Sequence, residues 1–476
     1  MLNTINKVFS KKGDLSKFFC ISAMMIVIIF IYSTQRIIKD TIVVTNMGAE
    51  LISTLKLWAV TPSAVLVMLL YAKLSDYVNK TKIFHFFNIA FIGFFLFFTF
   101  VINPHIEYYT LDLSSLKLKY SYLRYFFVML ENWSYTLYYI LSELWGSVML
   151  ALMFWQTANQ VFQIKQAKII YPLFGMIGQI GMILSRNLTN TFTNKEFAPT
   201  WQDSLQYINI TAASAALILS ALYFILSNVL VSSDIINAET LKKKKKIAFS
   251  EGLKHVFTSK YIGLITLLVI CYGTSINLVE GVWKAQARIS FPERQSYASF
   301  MADIQGYTGV ASMMAMAFGS YIMTKVSWRF AALITPVMIS CTGLIFFCFA
   351  ILNNQPAAIH IMATLPVVLT SVSVGSIQNV LSKGTKYAFF DATKEIAYIP
   401  LDESLKSKGK AAADVIGGRL GKSSGAFVTW ILLLVPGTTL VDISPKLAFI
   451  FILIMITWLI AVNLLSKEFY KISGKT

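Results

Sequence analysis

The run Asn237-Ala238-Glu239-Thr240-Leu241-Lys242-Lys243-Lys244-Lys245-Lys246-Ile247 divides the chain, because it lies between two apolar stretches, 208–231 and 261–282. Each stretch is about 20 residues long, which is what a helix needs to cross the roughly 30 Å hydrocarbon layer. Working outward with the same window gives six such stretches before the lysines: 18–35, 55–72, 83–102, 133–156, 168–187 and 208–231. Six more follow, at 261–282, 298–324, 328–352, 357–382, 411–436 and 447–466. Composition agrees: of 476 residues 56% are hydrophobic and 13% charged, which excludes an ordinary soluble enzyme.

The expected fold is therefore an all-α integral membrane protein of twelve transmembrane helices in two six-helix lobes. The N-terminal lobe is placed at 1–231, a basic cytoplasmic linker at 232–260 and the C-terminal lobe at 261–476. Six spans, a basic linker and six spans resemble the layout of major-facilitator transporters, whose parallel halves enclose a midplane site. Ala72-Lys73-Leu74-Ser75-Asp76-Tyr77, running on to Lys80 and Lys82, resembles that superfamily's loop between helices two and three, without its glycines. Lys7, Lys11, Lys12 and Lys17 precede the first span, which runs on through Tyr32, Gln35 and Arg36 with no small-residue cleavage site, so an uncleaved span is expected.

Lys and Arg outnumber Asp and Glu 41 to 23, a net charge of +18. Most of them fall on one side if the N-terminus is cytoplasmic, among them Lys73, Lys80, the pentalysine run, the 383–410 segment and Lys467. The positive-inside rule then places both termini in the cytoplasm of a cell whose inner membrane the chain spans. Such an excess fits cytoplasmic loops and an anion path better than nucleic acid, which is not an expected partner.

Ionisable groups inside spans cost several kcal/mol and mark candidate sites. Lys39 and Asp40 follow the first span, Glu143 lies in the fourth, Arg186 ends the fifth and Glu280 ends the seventh in Asn277-Leu278-Val279-Glu280-Gly281-Val282-Trp283-Lys284. Asp303 is in the eighth span, and Asp414, Arg419 and Lys422 are in the eleventh. Lys39, Arg419 and Lys422 are expected to replace the water lost by a polyanion, since Lys and Arg give charge-assisted hydrogen bonds to phosphate oxygens. The alternative is an interhelical ion pair or a side chain snorkelling to the headgroups. Glu143 and Glu280 fit either resting partners for these cations or proton-coupling carboxylates. Aromatic residues such as Trp145 are available to stack on a base, although most aromatics in such a chain pack against lipid or one another.

Other chemistries leave no mark. Gly421-Lys422-Ser423 fails as a phosphate loop, because the required earlier glycine is Ile416. His85, His105, His255 and His360 are scattered, and Cys20, Cys271, Cys341 and Cys348 form no CxxC pair. No metal, cofactor or catalytic residue is therefore expected.

At the same intramembrane positions the chain resembles the ATP/ADP translocases of obligate intracellular bacteria and plastids. The resemblance runs through Lys39-Asp40-Thr41-Ile42-Val43-Val44-Thr45, Leu55-Lys56-Leu57-Trp58, Glu143-Leu144-Trp145-Gly146-Ser147, Ala158-Asn159-Gln160 and Tyr171-Pro172-Leu173-Phe174-Gly175. It continues through Asn277-Leu278-Val279-Glu280, Lys394-Glu395-Ile396-Ala397-Tyr398, Gly409-Lys410-Ala411-Ala412 and Gly421-Lys422-Ser423. It implies a twelve-helix antiporter, not an enzyme, that exchanges external host ATP for internal ADP, with phosphate travelling beside ADP. Two lysines and two glutamates on which that family relies map by motif to Lys39, Glu143, Glu280 and Lys422, with Lys394, Lys408 and Lys410 at neighbouring motif positions. Asn277, Arg419 and Trp145 complete the candidate substrate-binding set. Gln35-Arg36-Ile37-Ile38 and Gly281 depart from the relatives' usual pattern, which leaves open a proton-coupled importer or an exchanger of other nucleotides. The expected partners are ATP, ADP, phosphate and the lipid bilayer, and the expected state is a monomer.

Overall fold

A computed structural model describes residues 13–231, 259–352, 367–401, 413 and 417–473. The described chain is helical almost throughout, as backbone groups in hydrocarbon require, since only internal hydrogen bonds satisfy them there. The long helices are α1 (Asp14–Met47), α2 (Leu51–Tyr77), α3 (Lys80–Tyr109), α4 (Trp133–Val161), α5 (Ile164–Thr193) and α6 (Trp201–Leu230). After the linker come α7 (Lys260–Ser290), α8 (Arg294–Lys325), α9 (Trp328–Leu352), α10 (Val367–Thr385, running on helically to Ala397), α11 (Gly418–Leu432) and α12 (Ser444–Ser473). Each coincides with an expected span, and nine of them are long and apolar enough to cross a membrane by length and composition. The others are α8, which carries Asp303, and α10 and α11, whose expected spans begin outside the described residues, as do the linker lysines and Lys410.

Two apolar cores form. One draws only on residues 18–231 and includes the fully buried Tyr138 and Trp145; the other centres on 261–465, with Trp283 and Trp458 at its heart. Lipid tails are as greasy as leucine, so close packing and buried hydrogen bonds hold such helices together more than the hydrophobic effect does. In the N-terminal half Gly181 of α5 packs directly on the α1 backbone, where a Cβ would lie 2.5 Å from the Ile26 carbonyl oxygen. In the C-terminal half Gly273 of α7 meets Gly421 of α11 in the same way, a Cβ at 273 lying 2.8 Å from the Gly421 carbonyl carbon. The first and fifth helices of each half thus share one contact mode.

A buried polar network sets the rotation of α1. Gln35 donates to Asn209 Oδ1 (2.8 Å), Tyr138 donates to Gln35 Oε1 (2.7 Å), and Asn209 donates to Thr99 Oγ1 (2.7 Å). These bonds tie α1 to α3, α4 and α6. With Gln35 held inward, Arg36 and Asp40, one helical turn apart, point toward α7.

A side chain at Gly181 or Gly421 would force backbones apart. Gly421→Leu is expected to lower the melting temperature of the detergent-purified protein by more than about 3 °C. An unchanged melting temperature would show that α7 and α11 are not in backbone contact.

Candidate functional site

Where α1 and α7 run side by side, oppositely charged residues at four-residue spacing meet rung by rung. Arg36 Nη2 donates to Glu280 Oε1 at 2.9 Å. One turn on, Lys284 Nζ donates to Asp40 Oδ2 at 2.8 Å and also lies 3.2 Å from Glu280 Oε1. Asp40 is fully enclosed, and its other oxygen accepts from Lys39 at 2.7 Å. Lys39 in turn reaches Glu143 Oε1 of α4 at 2.9 Å and lies 4.1 Å from the centre of the Tyr139 ring. The chain of charge thus runs from α7 through α1 to α4.

Lys56, in a π-helical turn of α2 (Leu55–Val60), donates to Asn277 Oδ1 at 2.7 Å. Asn277 fixes its own amide by donating to the Gly273 carbonyl at 2.8 Å. Lys56, Asn277, Glu280 and Lys284, with Ser53 and Thr429, line a narrow cleft between the halves. Lys383 of α10 lies within electrostatic reach of Arg36, Glu280, Lys284 and Asp40, and Lys422 of α11 within reach of Glu143. Six basic side chains, Arg36, Lys39, Lys56, Lys284, Lys383 and the exposed Lys422, therefore lie around three carboxylates, Asp40, Glu143 and Glu280. A surplus of basic groups in a partly buried seam is costly unless an anion completes it.

Of the residues the sequence singles out, Lys39, Glu143, Glu280 and Asn277 come together here. Lys422 is exposed on α11 with no ion pair among the described residues. Arg419, also exposed, lies against the Met68 sulfur and away from the rungs. Trp145 is fully buried in the N-terminal core, edge-on to Phe91 at 5.7 Å, so it does not face the seam; its indole packs the bundle. Lys410 lies outside the described residues. Arg186 and Asp303, two further intramembrane charges, pair with each other across the halves at 2.7 Å, and Asn190 adds a 2.9 Å bond to the same carboxylate oxygen.

The sequence names Asp40 as an intramembrane charge but leaves it, with Arg36, Lys56, Lys284 and Lys383, out of the substrate-binding set. The signal for Arg36, Asp40 and Lys284 was present. Arg36/Asp40 and Glu280/Lys284 are opposite charges at i and i+4 on helices that occupy the same place in each half, the pattern of a charge zipper. Nothing local marks Lys56 or Lys383, whose positions depend on how the halves meet.

Comparison with known proteins fits this arrangement. Residues 6–469 match the family described as TLC ATP/ADP transporter. The chain belongs to that family. It is 40% identical to ADP,ATP carrier protein 1 of Rickettsia prowazekii (strain Madrid E) over 473 residues, covering 96% of this chain and 94% of the relative. ADP,ATP carrier protein 3 of Rickettsia bellii (strain RML369-C) is 39% identical, over 96% and 95% of the two chains. Among solved structures, a bacterial homologue of the iron transporter ferroportin in an inward-facing state superposes with a TM-score of 0.60 at 14% identity, over 98% of this chain and 100% of that one. A D-xylose-proton symporter does so at 0.59 and 12%, over 94% and 96%, and the nucleoside transporter NupG at 0.56 and 11%, over 94% and 99%. This TLC family member is thus a multi-pass membrane transporter with the major-facilitator-like fold, and not an enzyme.

Asp40 is the acceptor shared by two buried ammonium groups, so removing it alone strands both. Asp40→Ala is expected to destabilise purified protein more than the double substitution Asp40→Ala with Lys284→Ala, because breaking a buried pair costs about 3–5 kcal/mol while removing both partners costs less. Additive losses in melting temperature would show that the pair is not coupled.

Proposed function

We propose that this TLC family member exchanges external ATP for internal ADP, with phosphate accompanying ADP, by alternating access between the halves 1–231 and 261–476. The observation that carries this reading is the excess of basic groups at and around the α1–α7 seam, six against three carboxylates. ATP and ADP carry about four and three negative charges, the scale of that surplus, and the named relatives are ADP,ATP carriers.

In the proposed cycle the triphosphate takes charge-assisted hydrogen bonds from Arg36, Lys39 and Lys56, while Lys383 and Lys422 close around it from the C-terminal half. Glu143 and Glu280 give up their cations as the phosphates arrive and recover them as the phosphates leave. The resting pairs also account for exchange without net uptake. Reorienting the halves with no anion breaks the rungs and leaves their charges bare in a low dielectric, whereas a bound nucleotide keeps them compensated in either orientation.

The positive-inside pattern supports a chain crossing the bacterial inner membrane twelve times with both termini in the cytoplasm. In that orientation the α1 and α7 C-terminal ends face outward. Arg186 to Asp303, Gln295 to the Ala198 carbonyl (2.7 Å) and Tyr125 to the Thr438 carbonyl (3.2 Å) join the halves near that same end. A state sealed externally and poised toward the cytoplasm follows.

Purified protein in vesicles is expected to take up labelled ATP when the vesicles are preloaded with ADP and not when they are empty. Uptake into empty vesicles driven by a proton gradient would contradict antiport. Lys39→Ala, inserted normally, is expected to lose at least about tenfold in exchange rate, the scale of one charge-assisted bond. Wild-type rates would remove Lys39 from the phosphate site.

A further inference from the structure

The α1–α7 zipper ends on a rung unlike the others. Arg288 lies one turn beyond Lys284 on the same face of α7, but what it meets is the Thr45 backbone carbonyl, to which Nη2 donates at 3.3 Å. Beside it Arg294, in the first turn of α8, donates to Asn46 Oδ1. Both acceptors are neutral. Among the described residues neither arginine has a carboxylate at ion-pair distance, although carboxylates are close by. Glu50 accepts the Leu440 backbone N–H at 3.2 Å, and Glu293 pairs with Lys195 at 2.7 Å. Both guanidiniums are half-buried at the mouth of the seam, on the side away from the termini. Gly48, at φ 94°, turns the chain out of α1 there, and a Cβ on it would lie 2.7 Å from the Glu50 carboxylate and 3.4 Å from Arg288 Nη1. The turn holds α1 close against both arginines.

A guanidinium gains direct charge–charge attraction from an anionic oxygen that a neutral oxygen cannot supply, and its planar fork matches phosphate. The inner rungs already have carboxylates, so an arriving anion competes there with a full negative charge. At the mouth it competes with neutral oxygens, those of Thr45 and Asn46 and the Tyr135 hydroxyl beside Arg294. We infer that Arg288 and Arg294 form an entry site for the polyphosphate of a nucleotide arriving from the termini-distal side. Taking their N–H groups, the polyphosphate frees Thr45 and Asn46, unfastens the end of α1 from α7 and α8, and starts the separation of the halves. Lys284, about 6 Å further in along α7, receives the phosphates next.

This inference rests on the nucleotide exchange proposed above and adds a sidedness to it. Full-length protein is assayed for ADP-dependent ATP uptake in whole cells, presenting nucleotide to the termini-distal side, and in inverted membrane vesicles, presenting it to the other. Arg288→Gln and Arg294→Gln are each expected to raise KM about tenfold on the distal side and leave KM on the termini side unchanged. Asn46→Asp gives Arg294 an anionic partner, so it is expected to raise the melting temperature and to raise the distal KM as well. Unchanged distal KM in all three variants, or equal rises on both sides, would overturn the entry site while leaving the exchange reading intact. Absence of ADP-dependent uptake by the wild type would instead overturn the exchange reading, and the entry site with it.

Discussion

Asp40 holds two ammonium groups at once, Lys39 from its own helix and Lys284 from the other half, with no exposure to solvent. A carboxylate so placed is stable only while both cations stay, and each cation only while it has an anion. The rest of the seam follows from that constraint. Glu143 is needed for the second contact of Lys39, and Glu280 for Arg36 and Lys284. The helices bearing these groups must pack closely enough for bonds under 3 Å, which the small residues and the Gln35 network on the opposite face of α1 permit. Under the proposed alternating access, the strongest attractions lie on the surface that parts. An anion able to take over the cations is then the natural agent of the change, because it replaces each lost bond as it breaks.

The charges also separate by role along the seam. The middle rungs are ionic and deeply buried, suited to holding a state until cargo arrives. Arg186 and Asp303, about one-third exposed, tie α5 to α8 at a second place in the same interface. The outermost rung bonds neutral oxygen. Strength therefore falls from the middle of the seam toward its distal mouth, the direction from which the proposed external nucleotide comes.

Much of the fold was legible in the sequence, because a membrane span needs only length and apolarity. Intramembrane charge was equally legible, and Lys39, Glu143, Glu280 and Asn277 do meet. Trp145 shows the limit. It stands two residues after Glu143, but on a helix two residues are about 200° apart, so it points into the core when Glu143 points out. Lys56 and Lys383 were illegible for a different reason. Each sits in an ordinary-looking stretch and joins the site only through contact between the halves, which local pattern does not record. The pairing of Glu280 with Arg36 and Lys284, in place of Lys422, is likewise a product of tertiary packing.

In the proposed cycle phosphate oxygens replace carboxylates as partners of the seam cations. A structure determined with ATP bound tests this most directly. Phosphate oxygens are expected at about 3 Å from the Lys39 ammonium and the Arg36 guanidinium, with Glu143 and Glu280 drawn away from both. ATP bound elsewhere, with the Arg36–Glu280 and Lys39–Glu143 contacts still closed, would contradict it.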